Sequence, residues 1–190
     1  MVDGQETKTA PTPDDPLWAA IRDYPFDDPD AASPWSARLS RENGWPPGYT
    51  RAVIEEYRRF LYLAARAETL AVPSEDVDQA WHLHLLYSED YWNRLCGEVL
   101  GRPLHHGPAT GADDDCKTLR AAYEETLDRY RAAFGEPPEQ IWPPARARFR
   151  DGGRFRRVDR TRYWVVPKLR TRDVVLMLIG IVGIAVIWID

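Results

Sequence analysis

Between residues 78 and 106 the chain reads DQAWHLHLLYSEDYWNRLCGEVLGRPLHH, and this stretch holds all four histidines of the 190 residues. His82, His84, His105 and His106 are the side chains that could bind a divalent transition metal such as zinc, with Asp78 or Cys96 able to complete a shell. Asp78 and His82 lie four apart, so on a helix they share a face and the carboxylate can orient the imidazole. His82 and His84 lie two apart, about 200° around a helix, so a regular helix cannot aim both at one ion. The most economical metal centre therefore joins one helical histidine to His105 or His106 from the loop that follows. Neither His-Glu-x-x-His nor Cys-x-x-Cys is present to strengthen it.

The same residues support two other readings. In one, the imidazoles bond backbone carbonyls, pack on Trp81 and Trp92 and pin the loop over 105–111 to the helices. In the other, His82 paired with Asp78 is a metal-free acid–base dyad. Because His82 and His84 point apart, satisfied histidines are preferred over either chemistry. The candidate site is Asp78, Trp81, His82, His84, His105 and His106. Cys96 falls among apolar residues in the middle of an expected helix, where a small buried side chain is the ordinary role. Cys116 follows three aspartates, which disfavour a thiolate. Two cysteines are too few for a disulfide framework, and no phosphate loop or nucleophile elbow occurs.

The elements that must position these residues are helical. Leu17, Trp18 and Ile21 follow two aspartates that can cap a short helix, and a second short helix ends at Gly44. From Pro47 to Leu70, Val53, Ile54, Tyr57, Phe60, Leu61 and Ala64 recur at spacings of three and four, giving one buried stripe. Ser74 caps a helix running toward Tyr87, and Ser88, ahead of two acidic residues, caps another to Leu100 that Gly101 and Pro103 stop. Leu119, Tyr123, Leu127, Tyr130 and Phe134 form the stripe of a last helix, ended by Gly135. No strand pattern or internal repeat interrupts the series. The expected fold is all-α, a compact domain of about five helices over residues 17–144 behind a flexible acidic arm over 1–16.

Charge divides the chain. Residues 1–141 carry 14 Lys/Arg against 26 Asp/Glu, whereas residues 142–172 carry 11 against 2. The basic part, 145–172, reads as a juxtamembrane linker whose Arg154, Arg156, Arg157, Arg160, Arg162, Lys168, Arg170 and Arg172 would meet anionic lipid headgroups. Nucleic acid is the disfavoured partner for it. Residues 174–189 are uninterruptedly apolar or glycine and would span roughly 24 Å as a helix. The expectation is one C-terminal transmembrane helix over 173–190, with the positive-inside rule placing the N-terminal domain in the cytoplasm. No secretory signal pattern opens the chain.

The run PSEDVDQAWHLHLLYSEDYWNRLCGEVLGRPLHHGPATG over 73–111 resembles the glycine-rich domain-containing protein-like family. RLSRENGW at 38–45, EYRRFLYLA at 56–64, Tyr123, Thr126, Tyr130 and IWPP at 141–144 resemble its bacterial members. The resemblance implies an all-helical domain and supplies no catalytic mechanism. With 12 glycines and no glycine-rich tract, the chain inherits nothing that belongs to such a tract. The expected function is a membrane-tethered binding or scaffolding module with an unnamed protein partner. The alternative is a metal-dependent, hydrolase-like enzyme using the histidine cluster.

Overall fold

The computed structural model describes residues 15–107 and 113–150, with side chains of the second segment described from Lys117 onward. The chain divides into two compact units, 1–154 and 155–190, and all described residues belong to the first.

Each helix begins and ends for a local reason. In α1, Pro16–Arg22, Asp15 Oδ1 accepts the free N–H groups of Leu17 and Trp18 at 3.0 and 3.2 Å. Its other oxygen takes the Tyr62 hydroxyl at 2.8 Å and Arg66 at 2.7 Å, so the cap also ties α1 to the helix that carries Tyr62 and Arg66. Helix α2, Trp35–Asn43, stops at Gly44, whose φ of +66° is a left-handed cap suited to a residue without Cβ. Helix α3, Pro47–Arg66, opens on a proline whose missing N–H would have had no partner there. Ser74 Oγ accepts Val77 N–H at 3.3 Å and starts α4, Glu75–Leu85.

The next element departs from expectation. Residues Asp90–Val99 form a π-helix, closed by Leu100 N–H donating to the Leu95 carbonyl five residues back at 2.8 Å, and no side chain caps its start. The reason is visible in which residues are buried: Tyr91, Leu95, Cys96 and Leu100 recur four and five apart, a period wider than an α-helix offers. Helix α5, Asp113–Phe134, and the single turn α6, Ala145–Arg148, complete the described elements.

Helix α3 is the axis, packed against α1, α2, α4 and α5. Its Val53, Tyr57, Phe60 and Leu61 are wholly buried, each contributing about 1.5–3 kcal/mol by removal from water. One charged residue shares that inward face. Glu56 accepts the Tyr130 hydroxyl at 2.8 Å and Trp142 Nε1 at 3.0 Å and pairs with Arg59, so α3, α5 and the segment after α5 meet on a single carboxylate. Helix α6 packs on α5, where Phe149 meets Tyr123 edge-on, and Arg148 donates to the Pro73 carbonyl ahead of α4 at 3.1 Å.

The all-α reading holds, with six α-helices, one π-helix and no strand among the described residues. The membrane part of the expected fold is corrected. Among the described residues no helix is long and apolar enough to cross a membrane, so the transmembrane helix and the single-pass, cytoplasm-facing placement are withdrawn. The longest helices, α3 and α5, run 20 and 22 residues, but each carries a charged face that hydrocarbon would not tolerate. The apolar run 174–189 and the basic residues Arg154, Arg156, Arg157, Arg160, Arg162, Lys168, Arg170 and Arg172 lie outside the described residues, as do residues 1–14 of the acidic arm.

Candidate functional site

Helix α4 presents its histidines to two different surroundings, as their spacing requires. Asp78 and His82 stand one turn apart on its half-exposed face, with His82 Nε2 3.8 Å from Asp78 Oδ2. His106 arrives from the loop after the π-helix, its Nε2 2.9 Å from Asp78 Oδ1. The carboxylate can only accept, so this nitrogen carries the proton. The rings of His82 and His106 lie 4.4 Å apart. One ligand atom from each of Asp78, His82 and His106 falls within 4.8 Å of the other two.

What delivers His106 is a buried pair of aromatics. Trp81 Nε1 donates to the Tyr91 hydroxyl at 2.8 Å, and that hydroxyl donates to the Leu104 carbonyl at 2.5 Å. The loop is thereby fastened to α4 and the π-helix two residues before His106. The Trp81 ring then meets the His106 ring at 4.6 Å in an edge arrangement. Trp81, a predicted site residue, is a positioning residue here and offers no ligand atom toward Asp78.

His84 points the other way, into the core, and is 1 % exposed. Its Nδ1 lies 3.1 Å from the Tyr57 hydroxyl and its Nε2 2.8 Å from Asp90 Oδ2. Asp90 also accepts Tyr24 OH at 2.6 Å and Arg94 at 2.5 Å. Burial pushes the His84 pKa down, and this outweighs the opposite pull of Asp90, so His84 is the neutral partner in a hydrogen bond rather than half of an ion pair. Burial would raise the Asp90 carboxyl, but the Tyr24 and His84 hydrogen bonds and the Arg94 charge together hold it below its ordinary 3.8. Both imidazole nitrogens of His84 are thus engaged, and neither is offered to an ion.

The remaining candidates separate as well. His105 rests beside Trp92, ring centres 5.3 Å apart, and is not among the three grouped ligands. Cys96 is buried and burial raises its pKa, which suits a packed thiol and not a nucleophile. The side chain of Cys116 lies outside the described residues.

The structure thus brings together Asp78, His82 and His106 and leaves out His84 and His105. Sequence reasoning missed Tyr57, Asp90, Tyr24 and Arg94. In the sequence Asp90 is one of the two acidic residues that follow the Ser88 cap, and Tyr57 belongs to an ordinary apolar stripe. The one available signal was the doubled spacing of Tyr91, Leu95, Cys96 and Leu100, which announces the widened helix. Trp35 Nε1 was missed too: it is buried without a hydrogen-bond partner among the described residues, a state that costs about 1–3 kcal/mol when nothing relieves it.

Comparison with known proteins follows the same central helices. A family model described as UCP032817-like matches residues 41–132, from the end of α2 nearly to the end of α5. Glycine-rich domain-containing protein 2 of Arabidopsis thaliana is 26% identical over 108 residues, which are 54% of this chain and 14% of that protein. Glycine-rich domain-containing protein 1 of the same plant is 27% identical over 108 residues, 54% of this chain and 13% of the relative. The chain therefore corresponds to about a seventh of the length of these relatives. No solved structure matches. The residues that hold the histidine stretch in place fall inside the matched region, so the likeness to the UCP032817-like model and to the glycine-rich domain-containing proteins covers the central helices of this chain, residues 41–132.

Proposed function

We propose that the domain is a binding module that takes one divalent transition-metal ion, zinc being the best suited, at Asp78, His82 and His106. The supporting observation is the approach of three ligand atoms to within 4.8 Å, two from helix α4 and one from the loop that carries His106. Around an ion with bonds of about 2.0–2.2 Å, ligand atoms stand roughly 3.3 Å apart. The distances of 2.9 Å from Asp78 Oδ1 to His106 and 3.8 Å from Asp78 Oδ2 to His82 lie on either side of that value. Two imidazoles and a carboxylate form a borderline donor set that suits zinc better than magnesium or calcium. Coordination through His106 Nε2 replaces the proton that now joins it to Asp78 and moves the ring to the other tautomer.

The test is calorimetric titration of zinc into the full chain after chelator treatment. The expected result is about one equivalent bound, with affinity falling at least about tenfold in His106→Ala and in Asp78→Ala. Binding of less than about a tenth of an equivalent, or affinity in either variant unchanged from the native chain, would overturn the proposal. One observation favours a second reading. His82 is 49 % exposed, so a fourth position faces solvent, the arrangement a hydrolytic metal uses to activate water. Zinc-dependent cleavage of an activated ester, abolished by His106→Ala, would support it; turnover unchanged by zinc or by the variant would leave only the binding role.

A further inference from the structure

Beside the π-helix, on the His84 side of α4, lies a cleft of about 490 Å³, within the range of small-molecule sites. Its wall is aromatic, with Phe26, Trp35 and Tyr87. Its charged residues are Asp27, Asp28, Asp90 and Arg94. Arg94 is spent on Asp90. Asp27 accepts only the Ser36 N–H and hydroxyl, and Asp28 only the Asp30 N–H, so among the described residues no cation pairs with either. An aromatic wall beside two uncompensated carboxylates attracts an organic cation with an apolar body.

A second observation adds a polar requirement. Trp35 lines this cleft, is 3 % exposed, and its indole N–H meets no acceptor among the described residues. Phe26 stacks on the Trp35 ring at 5.0 Å and Arg58 covers Phe26 at 4.6 Å, which holds the indole in place. The bound molecule should therefore offer an acceptor at the aromatic wall as well as an ammonium toward Asp27 and Asp28.

We infer that this cleft is a binding site for a small primary amine that carries a ring or short apolar body and a hydroxyl or carbonyl acceptor. It stands apart from the Asp78 centre and needs no metal. The experiment uses the full chain with ¹⁵N-labelled tryptophan, titrated with tyramine, with its uncharged analogue 4-ethylphenol and with the anionic 4-hydroxyphenylacetate. Tyramine is expected to move the Trp35 indole N–H resonance, identified by its loss in Trp35→Phe, and to bind about tenfold or more tighter than 4-ethylphenol, with the anion weakest. The doubly exchanged Asp27→Asn, Asp28→Asn chain keeps one oxygen to accept the Ser36 N–H and one to accept the Asp30 N–H, while the amide introduced at position 27 can donate to the Ser36 hydroxyl, and it should lose the preference for the amine. An unmoved Trp35 resonance, equal binding of amine and uncharged analogue, or an unaltered preference in the Asn variant would each overturn the inference.

Discussion

Glu56 and Asp78 are both carboxylates that gather donors from distant parts of the chain. Glu56 lies inside, with a side chain 5 % exposed, and takes Tyr130, Trp142 and Arg59 from three directions. Asp78 lies at the surface of α4, bonded to His106 at 2.9 Å and standing 3.8 Å from His82. The first arrangement is closed: its partners enclose it, and its charge is met by a guanidinium. The second is open: one imidazole is bonded, the other is within reach but unbonded, and solvent touches both. A closed carboxylate organises a core, whereas an open one beside two imidazoles can exchange a proton for an ion.

The sharpest way to break this contrast is to remove the enclosed charge. Glu56→Ala strands the Trp142 N–H and the Tyr130 hydroxyl and leaves Arg59 without its partner. Loss of one partner in a buried charged network costs about 3–5 kcal/mol. Chemical denaturation should show a loss of that size, with zinc affinity of the remaining folded protein unchanged. A loss under about 1 kcal/mol would mean that Glu56 behaves like a surface pair and that the distinction from Asp78 is false.

A smaller effect should separate positioning from ligation. Tyr91→Phe removes the hydroxyl that both accepts from Trp81 and donates to Leu104. The unpaired indole N–H and carbonyl cost about 1–3 kcal/mol. If this pair places His106, zinc affinity also falls, by roughly tenfold, although no ligand has been touched. Unchanged affinity in this variant would show that the loop finds Asp78 without help.

Asp90 tests the same idea through pH. Its folded-state pKa is held below 3.8, so the stabilisation it provides is present above the unfolded value, near 3.9, and is lost as pH falls through the lower folded value. Unfolding measured from pH 6 down to pH 2 should therefore steepen below about pH 4 in the native chain. Asp90→Asn should be less stable at neutral pH and show a flatter acid limb. An identical acid limb in both would remove Asp90 from the network around His84.

How far the sequence carried this picture depends on the range of each interaction. Asp78 and His82 were placed on one face by a spacing of four, and His82 and His84 were separated by a spacing of two, because helix geometry alone decides both. The caps by Asp15 and Ser74 and the stop at Gly44 were equally local. The partner of Asp78 was not: His106 is delivered by a hydrogen bond from Tyr91 to Leu104, and nothing in the residue order distinguishes it from His105. Glu56 was hidden for a related reason. Its charge suggests an exposed position between two stripe residues, and its buried acceptors' work depends on Tyr130 and Trp142, 74 and 86 residues away. The membrane expectation failed differently, because it rested on the apolar run 174–189, outside the described residues, while the long described helices are amphipathic.

The smallest stability effect is expected where the functional effect should be clearest. His82 is half exposed, and in the absence of metal its nearest charged neighbour is an oxygen 3.8 Å away, too far for a hydrogen bond. Replacing it by alanine removes no enclosed contact, so unfolding free energy should stay within about 0.5 kcal/mol of the native chain. A residue that contributes so little to the fold has no structural reason to be an imidazole. If Asp78, His82 and His106 share an ion, His82→Ala must nonetheless reduce zinc affinity, and zinc must raise the melting temperature of the native chain by more than that of the variant, since an ion stabilises only the state that binds it. Equal stabilisation of the two by zinc would assign the ion elsewhere and leave Asp78 and His106 as an ordinary clasp between a helix and its loop.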